Sequence, residues 1–538
     1  MKKRKIIILP FILVLLLPAL QAITGIFSIK PLNGSFSKTE KPVLTYESWM
    51  EGDFQNNYNN FINDHLGFRS FFIRMNNQIE YSLFGKINAD GIVHGKNGNF
   101  FEYDYIRTLI GDDFIGKKIL DKKLRRTKYI QEIFKEKYNK DLILVFAPSK
   151  ARVYNEFLPD QYKNGSEKQS NYTFMHNRAE ELNIRFIDLN EMLIRMKDTS
   201  TVPVFPECGT HWSEYTAFCV ADSLLNYSES LLKHTIGDLK ITQCIKTSKL
   251  QSTDYDMGKT MNLLWEMDHS EMYYPEFEIA PAKNGDKPSI LTIGDSFYWN
   301  IFNLNLQEKL YKDHKFWLYN KRIYPDFYSN SLTTEDIDKK PFLDKQDIIY
   351  VMITERFLFK YAWRFIDQTY NLYTYDLAPD YHYEYISDVV HVDEWFNKLI
   401  KQSKDSSVSL ESLLYKEAEY IFRKKNPEKY YEYNGLEAYK KTIRSDSTWY
   451  AKVISDAKEK GIDTLESLLG HARYSFSKSY PEQFEINKNI NRIMETIRHD
   501  SVWFAETKKK AAKRYLTPEE MLRKEAYWQY QQSIKTSN

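Results

Sequence analysis

The sequence predicts an α/β domain with a mostly parallel sheet flanked by helices, preceded by an N-terminal transmembrane helix and followed by an all-α repeat domain. Three observations carry that reading: apolar runs of strand length separated by helical stretches, a long uncharged segment near the N-terminus, and a 54-residue periodicity in the last third. At 538 residues the chain has room for several cores.

Lys2-Lys3-Arg4-Lys5 precedes Ile6 to Phe27, 22 residues without a charge in which only Gln21 and Thr24 are distinctly polar. As a helix that stretch spans about 30 Å of hydrocarbon. The basic cluster would stay cytoplasmic and place the rest of the chain outside. A cleaved signal peptide is the rival, but the apolar stretch is long and Leu20-Gln21-Ala22 is a poor small-x-small cleavage site. The expectation is an uncleaved single-pass anchor over residues 1–27 in an inner membrane, with the bulk of the chain periplasmic. Residues 28–44, rich in Gly, Ser, Pro and Lys, read as a linker.

A domain over residues 45–380 follows. Trp49 to Phe84 has helical periodicity, with Phe54, Tyr58, Phe61, Ile62 and Leu66 three and four residues apart. Gly91 to Tyr103 reads as a hairpin around Asn97-Gly98. A basic amphipathic helix from Ile119 leads into Leu142–Phe146, an uninterrupted apolar run of the kind a buried parallel strand requires. A helix over Asn171–Leu182 and a strand over Ile184–Leu189 come next, and Thr210-His211-Trp212-Ser213 opens another helix, with Ser213 or Thr210 as its cap. Ser289–Ile293, Phe316–Tyr319 and Asp347–Ile353 are further strands. In such a sheet functional groups collect at the carboxyl ends of the strands.

Residues 381–538 hold three repeats. Trp395-Phe396, Trp449-Tyr450 and Trp503-Phe504 are 54 residues apart, and Ala418, Ala472 and Ala526 keep the same register, as do Tyr420, Tyr474 and Trp528. Ser409, Asp463 and Thr517 read as helix caps. Each unit is expected to fold as two short amphipathic helices that bury a continuous face only when stacked. The tryptophans fit packing positions rather than a sugar platform, and the repeats offer a surface to a protein partner.

Composition excludes several classes. Lys plus Arg total 75 against 73 Asp plus Glu, a net +2 that argues against a basic nucleic-acid surface. Three cysteines allow at most one intramolecular disulfide, and their spacing matches no four-ligand zinc site; Cys208 reads as a small packing residue. No nucleotide loop and no His-Glu-x-x-His occur, so no cofactor or metal is expected.

The chemistry is carried by Gly294-Asp295-Ser296-Phe297, at the end of an apolar strand, and by His211. A serine on a strand-to-helix turn and a histidine from another loop make a nucleophile and its base, with backbone N–H groups at the helix start to meet an oxyanion. Each string alone reads more readily as a turn and a helix cap. The position two before His211 holds Gly209 rather than an orienting carboxylate. Asp295, adjacent to the nucleophile, cannot readily reach the far nitrogen of the imidazole, which leaves Glu207 and Asp188 as candidates. Lys150, Tyr154, Trp212 and Arg356 are candidate substrate-binding residues, salt bridging and packing being their alternative use.

Taken together, these elements resemble the alginate O-acetyltransferase AlgJ/AlgX type of SGNH-hydrolase-like protein. The resemblance rests on the order of the anchor, the helix with Asp64-His65 to Phe68-Arg69, Val93-x-Gly95-Lys96-x-Gly98-x-Phe100, Ala147-Pro148-Ser149-Lys150 with Tyr154, Thr210-His211-Trp212, Gly294-Asp295-Ser296-Phe297 and Glu355-Arg356-Phe357-Leu358. It covers about residues 45 to 360 and leaves the repeats outside. It implies an SGNH-like α/β domain in which Ser296 is the nucleophile and His211 the base. Acetyl would pass through a serine ester to hydroxyls of an exported polysaccharide, with a membrane-bound O-acyltransferase supplying acetyl from the inner side. The family carries Asp-x-His-Trp where this chain has Gly209-Thr210-His211-Trp212. A glycan or lipid esterase with the same serine and histidine, and a catalytically degenerate scaffold that binds glycan or assembles a complex, are the alternatives.

Overall fold

The computed structural model describes residues 15–34, 38–165, 168–283, 286–374 and 381–537. A small antiparallel hairpin pairs β1 (Ile92–His94) with β2 (Phe100–Glu102), and Asn97 and Gly98 take the positive φ angles that its turn demands. The main sheet holds β3 (Asp141–Ala147) and β4 (Phe186–Asp188), which pair in parallel. A long antiparallel ribbon of β5 (Gly237–Thr247) and β6 (Met272–Pro281) stands apart from it. The main sheet then continues with β7 (Ser289–Gly294), β8 (Asp313–Leu318), β9 (Arg322–Tyr324) and β10 (Ile348–Thr354). Its order is β4-β3-β10-β7-β8-β9, all parallel except β9. The ribbon and β9 extend the sequence expectation.

Both faces of this sheet are buried, which explains the uninterrupted apolar runs. Leu142, Leu144, Phe146, Leu291, Ile293, Ile349 and Val351 point into one core with the helices Lys117–Tyr138 and Phe365–Tyr373. Ile143, Val145, Ile290, Tyr350 and Met352 point into the other with the helices Glu214–Leu232 and Tyr298–Phe302. Pairing of Ala147 with Thr354 and of Gly294 with Leu318 aligns the carboxyl ends at one edge.

Among the described residues no helix is long and apolar enough to cross a membrane. Residues 15–24 are helical, while Ile6–Val14 of the expected span lie outside the described residues.

The repeats need one correction: a complete unit has three helices, not two. In the first, Asp393–Asp405 and Leu410–Lys425 are followed by Pro427–Ser445; in the second, Ser447–Lys460 and Thr464–Ser479 are followed by Pro481–His499. Two short helices cannot consume 54 residues, and the third begins with proline at its first turn, where no N–H is needed. Ala418, Ala472 and Ala526 are wholly buried, each where a larger side chain would push helices apart. The first unit shares the core of the sheet: Phe396 stacks on Phe359 with centroids 4.4 Å apart, and Tyr383 and Ile386 join the same cluster. The expected boundary at 380 is therefore not a break in packing.

Two buried histidines set a pH response. His314 Nε2 pairs with the Tyr298 hydroxyl at 2.8 Å, and burial pushes the imidazole down to about 3; burial likewise brings His391 to about 4. Unfolded, both titrate near 6.5. Below that pH the unfolded chain binds more protons than the native one, so their contribution is complete above pH 6.5 and is lost as pH falls. Urea midpoints are expected to drop between pH 7.5 and pH 5. In His314→Gln the drop should shrink by about 2 kcal/mol, and an unchanged drop would remove His314 as its source.

Candidate active site

The nucleophile turn is built by the end of β7. Leu291 and Ile293 fix the strand in the core, and the chain leaves the sheet at Gly294. Asp295 is wholly buried and clips the turn in place: Oδ1 accepts from Phe297 N at 3.0 Å, and Oδ2 accepts from Thr354 N and Oγ1 at 2.9 and 2.7 Å. Burial raises its carboxyl pKa against the lowering effect of those three bonds. Ser296, the next residue, is half-buried at the sheet edge. Phe297 fills the floor beneath, with ring centroids 4.8 Å from His211 and 5.3 Å from Trp212. The helix that follows, Tyr298–Phe302, has only five residues, so the expected helix-terminus field is weaker than the sequence suggests.

His211 reaches the serine from a loop that ends at the Ser213 cap of the helix Glu214–Leu232. Its Nε2 lies 2.9 Å from Ser296 Oγ, and its Nδ1 lies 2.7 Å from Asp256 Oδ2. If the serine donates to Nε2, Nδ1 carries the other proton and donates it to the carboxylate. Asp256 Oδ1 accepts from the backbone N–H of Thr210 at 2.8 Å and of Met257 at 2.7 Å. The carboxylate is thereby fixed on the chain that carries the histidine. Serine, histidine and aspartate form an unbroken relay in which the imidazole can take a proton from Oγ while the acid holds its orientation.

The orienting acid is neither of the two candidates from sequence. Glu207 turns away and accepts from Ser270 N and Oγ at 2.9 and 2.6 Å. Asp188 caps the helix Leu189–Thr199 and accepts from Asn190 N and the Tyr172 hydroxyl at 2.8 and 2.6 Å. Gly209 leaves room for the segment that supplies Asp256: a Cβ there would lie 2.5 Å from Pro206 Cγ and 2.8 Å from Thr253 O. The absence of a Cβ at Gly209 lets residues 253–254, just before Asp256, pass close to the histidine loop.

Three of the four candidate binding residues are structural. Lys150 is buried, and its Nζ donates to Pro206 O and Glu207 O at 2.6 Å each, with Gly209 O at 3.4 Å, so it pins the histidine loop from below. Burial lowers it to about 7. Tyr154 is buried with its hydroxyl accepting from Val204 N at 3.0 Å, and Trp212 is wholly buried against Phe297. Lys150 and Tyr154 thus spend their polar groups on the protein's own backbone, while Trp212 Nε1 is buried without a hydrogen-bond partner among the described residues. Arg356 remains partly exposed at the site edge, held by Glu102 and, at 2.9 Å, by Asp104. Glu102 also accepts from the Thr210 hydroxyl at 2.6 Å, joining Arg356 to the histidine loop. Cys208 is a free, buried thiol that burial raises to about 12, which agrees with a packing role.

Sequence reasoning missed Asp256 and the placement of Tyr319. Tyr319 follows β8 with a φ of 53°, and its backbone N donates to Gly294 O at 2.8 Å, beside the turn that carries Ser296. That left-handed turn directly after an apolar strand left no pattern to read. Asp256 lies between β5 and β6, far from His211 in the chain, where only a Tyr-Asp string marks it.

With this geometry in view, comparison with known proteins gives a family. Residues 92–313 match the family model described as the SGNH hydrolase-like domain of acetyltransferase AlgX. The α/β part of the chain is SGNH hydrolase-like over those matched residues. The solved structures similar to this SGNH-like chain include the O-acetyltransferase domain of Pseudomonas putida AlgJ, 18% identical, with a TM-score of 0.35 over 52% of this chain and 99% of that one. Pseudomonas aeruginosa AlgX is 16% identical, with a TM-score of 0.32 over 51% and 66%. Bacillus cereus PatB1 is 10% identical, with a TM-score of 0.32 over 50% and 96%. No curated protein sequence matches the chain.

The relay predicts an order of effects on the reactivity of Ser296 toward a sulfonyl fluoride. Asp256→Asn should slow labelling by about 10²–10⁴-fold, while Glu207→Gln and Asp188→Asn should label close to the parent rate. Gly209→Asp combined with Asp256→Gly should not restore it, because the Cβ has no room. Parent-like labelling of Asp256→Asn would remove the aspartate from the relay.

Proposed function

We propose that this chain is a membrane-anchored, extracytoplasmic O-acetyltransferase that modifies hydroxyls of an exported or cell-surface polysaccharide through an acyl-serine. The carrying observation is the line from Ser296 Oγ through His211 to Asp256, with steps of 2.9 and 2.7 Å, at an accessible sheet edge. The match of residues 92–313 to an acetyltransferase family supports acetyl as the group transferred. A serine and histidine lying beyond about 4 Å would have favoured the degenerate-scaffold alternative, and at 2.9 Å they instead support catalysis.

In the proposed reaction His211 Nε2 takes the proton of Ser296 as Oγ attacks the carbonyl carbon of the acetyl donor. The donor's leaving group departs with that proton, and acetyl remains as an ester on Oγ. A sugar hydroxyl then gives its proton to Nε2 and attacks the ester, and Oγ recovers the proton as the acetylated sugar leaves. Asp256 stays ionised throughout and stabilises the imidazolium. A membrane-bound O-acyltransferase would load the serine from the inner side, which fits an anchor over Ile6–Phe27 preceded by Lys2–Lys5.

Incubation of the protein with an activated acetyl ester is expected to add one acetyl group to the peptide containing Ser296, and Ser296→Ala should lose it. An undiminished adduct in the variant would overturn the assignment. With a polysaccharide acceptor present, ester should appear on the glycan. Release of acetate alone, at the same rate with and without acceptor, would make the enzyme an esterase.

A further inference from the structure

The helix Arg69–Phe84 is inside out. Its polar face points into the protein: Arg74 and Asn77 are buried, Arg74 Nη2 donates to Pro31 O at 2.7 Å, and Asn77 Nδ2 donates to Met261 O at 3.0 Å. Its apolar face, with Phe72, Met75, Ile79 and Leu83 at three- and four-residue spacing, points to solvent, and Leu83 is 70% exposed. The preceding helix, Asp53–His65, adds Tyr58 and Ile62 to the same exposed class, and Trp49 lies just before it. The exposed stripe Phe72, Met75, Ile79 and Leu83 contains no charged residue. A face of this kind marks an interaction site rather than ordinary surface.

We propose that this helix pair lies in the surface of a lipid bilayer, with the apolar stripe of Arg69–Phe84 buried among the outer acyl chains. Continuity with the N-terminal segment favours lipid over other occupants. The turn between the two helices seats the helical residues 15–24: a Cβ on Gly67 would run into the backbone of Pro18 and Ala22, and Phe27 packs on Phe68 with centroids 5.8 Å apart. The leucines of residues 15–24 are themselves exposed, so the apolar surface runs on into the uncharged stretch Ile6–Phe27. Whatever holds that stretch in lipid brings the helix pair to the same surface. The uncharged stripe suits hydrophobic insertion rather than adsorption to a charged partner, and Trp49 and Tyr58 suit the interface between acyl chains and headgroups.

The inward face makes this placement matter for the site. Asn33 N donates to Asn262 Oδ1 at 2.8 Å, and Asn33 Nδ2 donates to Lys259 O at 2.8 Å. Asn77 of the pair bonds Met261 O directly, and Arg74 bonds Pro31 O of the linker that carries Asn33, so the lipid-seated pair is tied to the end of the short helix Asp256–Thr260 and the two residues after it. The relay acid is thus held at a fixed height above the bilayer.

The test uses the full chain in phosphatidylcholine vesicles that contain a lipid with a photoactivatable group near the glycerol end of one acyl chain, with adducts mapped by peptide mass. Lipid adducts are expected on residues 43–84 as well as on the N-terminal segment. The combined variant Phe72→Gln, Ile79→Gln and Leu83→Gln should lose the adducts on 69–84 and keep those on the N-terminal segment, which report insertion. Adducts confined to residues 1–27 in the parent protein would overturn the proposal. So would adducts on 69–84 that the combined variant retains in full. The map needs neither Ser296 nor an acetyl donor, so its outcome is separate from that of the acetyl-transfer reading.

Discussion

The carboxylate of Asp256 is the point on which the site's geometry depends. One oxygen holds His211, the other takes two backbone N–H groups, and one of those belongs to Thr210, the residue before the histidine. Ring orientation and loop position are therefore set by the same group. The segment that carries it is stitched on several sides. Asn300, on the helix after the nucleophile, donates to Thr253 Oγ1 at 3.1 Å; Tyr274 of the ribbon donates to Asp254 at 2.7 Å; and Gly258 N donates to Cys208 O at 3.1 Å. Bonds to a charged carboxylate exceed neutral ones in strength, and a partner left unpaired in a partly buried site costs more than the bond contributes. The ribbon and its loop, which stand outside the main sheet, are thus part of the candidate site.

The opposite side of the site is held by a second carboxylate in another role. Asp295 sits next to the nucleophile but spends its oxygens on Phe297 and Thr354, so it fixes the end of β7 against the end of β10. Below the histidine loop Lys150 does the same work with carbonyl groups, since an ammonium donates in three directions and a short loop offers its oxygens there. Nucleophile, base and acid come from three separate connections. The connections that carry Ser296 and His211 are tied at the sheet edge by the buried side chains of Asp295 and Lys150, whose bonds cross between segments far apart in the chain, so the positions of these two residues are set before any substrate binds.

How much of this could be read from sequence follows from the range of the interactions. The main strands were legible because a sheet buried on both faces forces continuous apolar runs such as Leu142–Phe146. Ser296 and His211 were legible because the turn and the cap that present them are local. Asp256 was not: the chain has 73 acidic residues, and nothing in the local pattern of one that acts at long range separates it from the others. Glu207 and Asp188 were favoured by nearness along the chain and at strand ends, which is not nearness to the far nitrogen of an imidazole. Lys150 shows the complementary gap. A lysine after a strand has one sequence pattern whether its ammonium faces a substrate or backbone carbonyls. In the repeats the 54-residue register was plain, while the third helix was signalled only by Pro427 and Pro481, which mark a helix start as readily as a break.

The repeats also bear on how the domain behaves as a whole. Stacked helical units hold mainly their neighbours: one small core around Phe476 joins the last helix of the first unit to the second unit, and another around Ile497 joins the last helix of the second unit to the third. A stack of this kind, fixed at one end, would bend. Here both ends meet the helix Lys117–Tyr138: Lys118 N donates to Glu411 Oε1 of the first unit at 2.7 Å, while Lys122 pairs with Glu520 at 3.4 Å and Tyr515 bonds Glu132 from the third. Each surface contact is weak alone. Closing the stack on a helix already buried against β3 converts three units into a ring whose bending must strain two junctions at once. The repeats are therefore packed against the sheet domain at both ends of the stack instead of hanging from one.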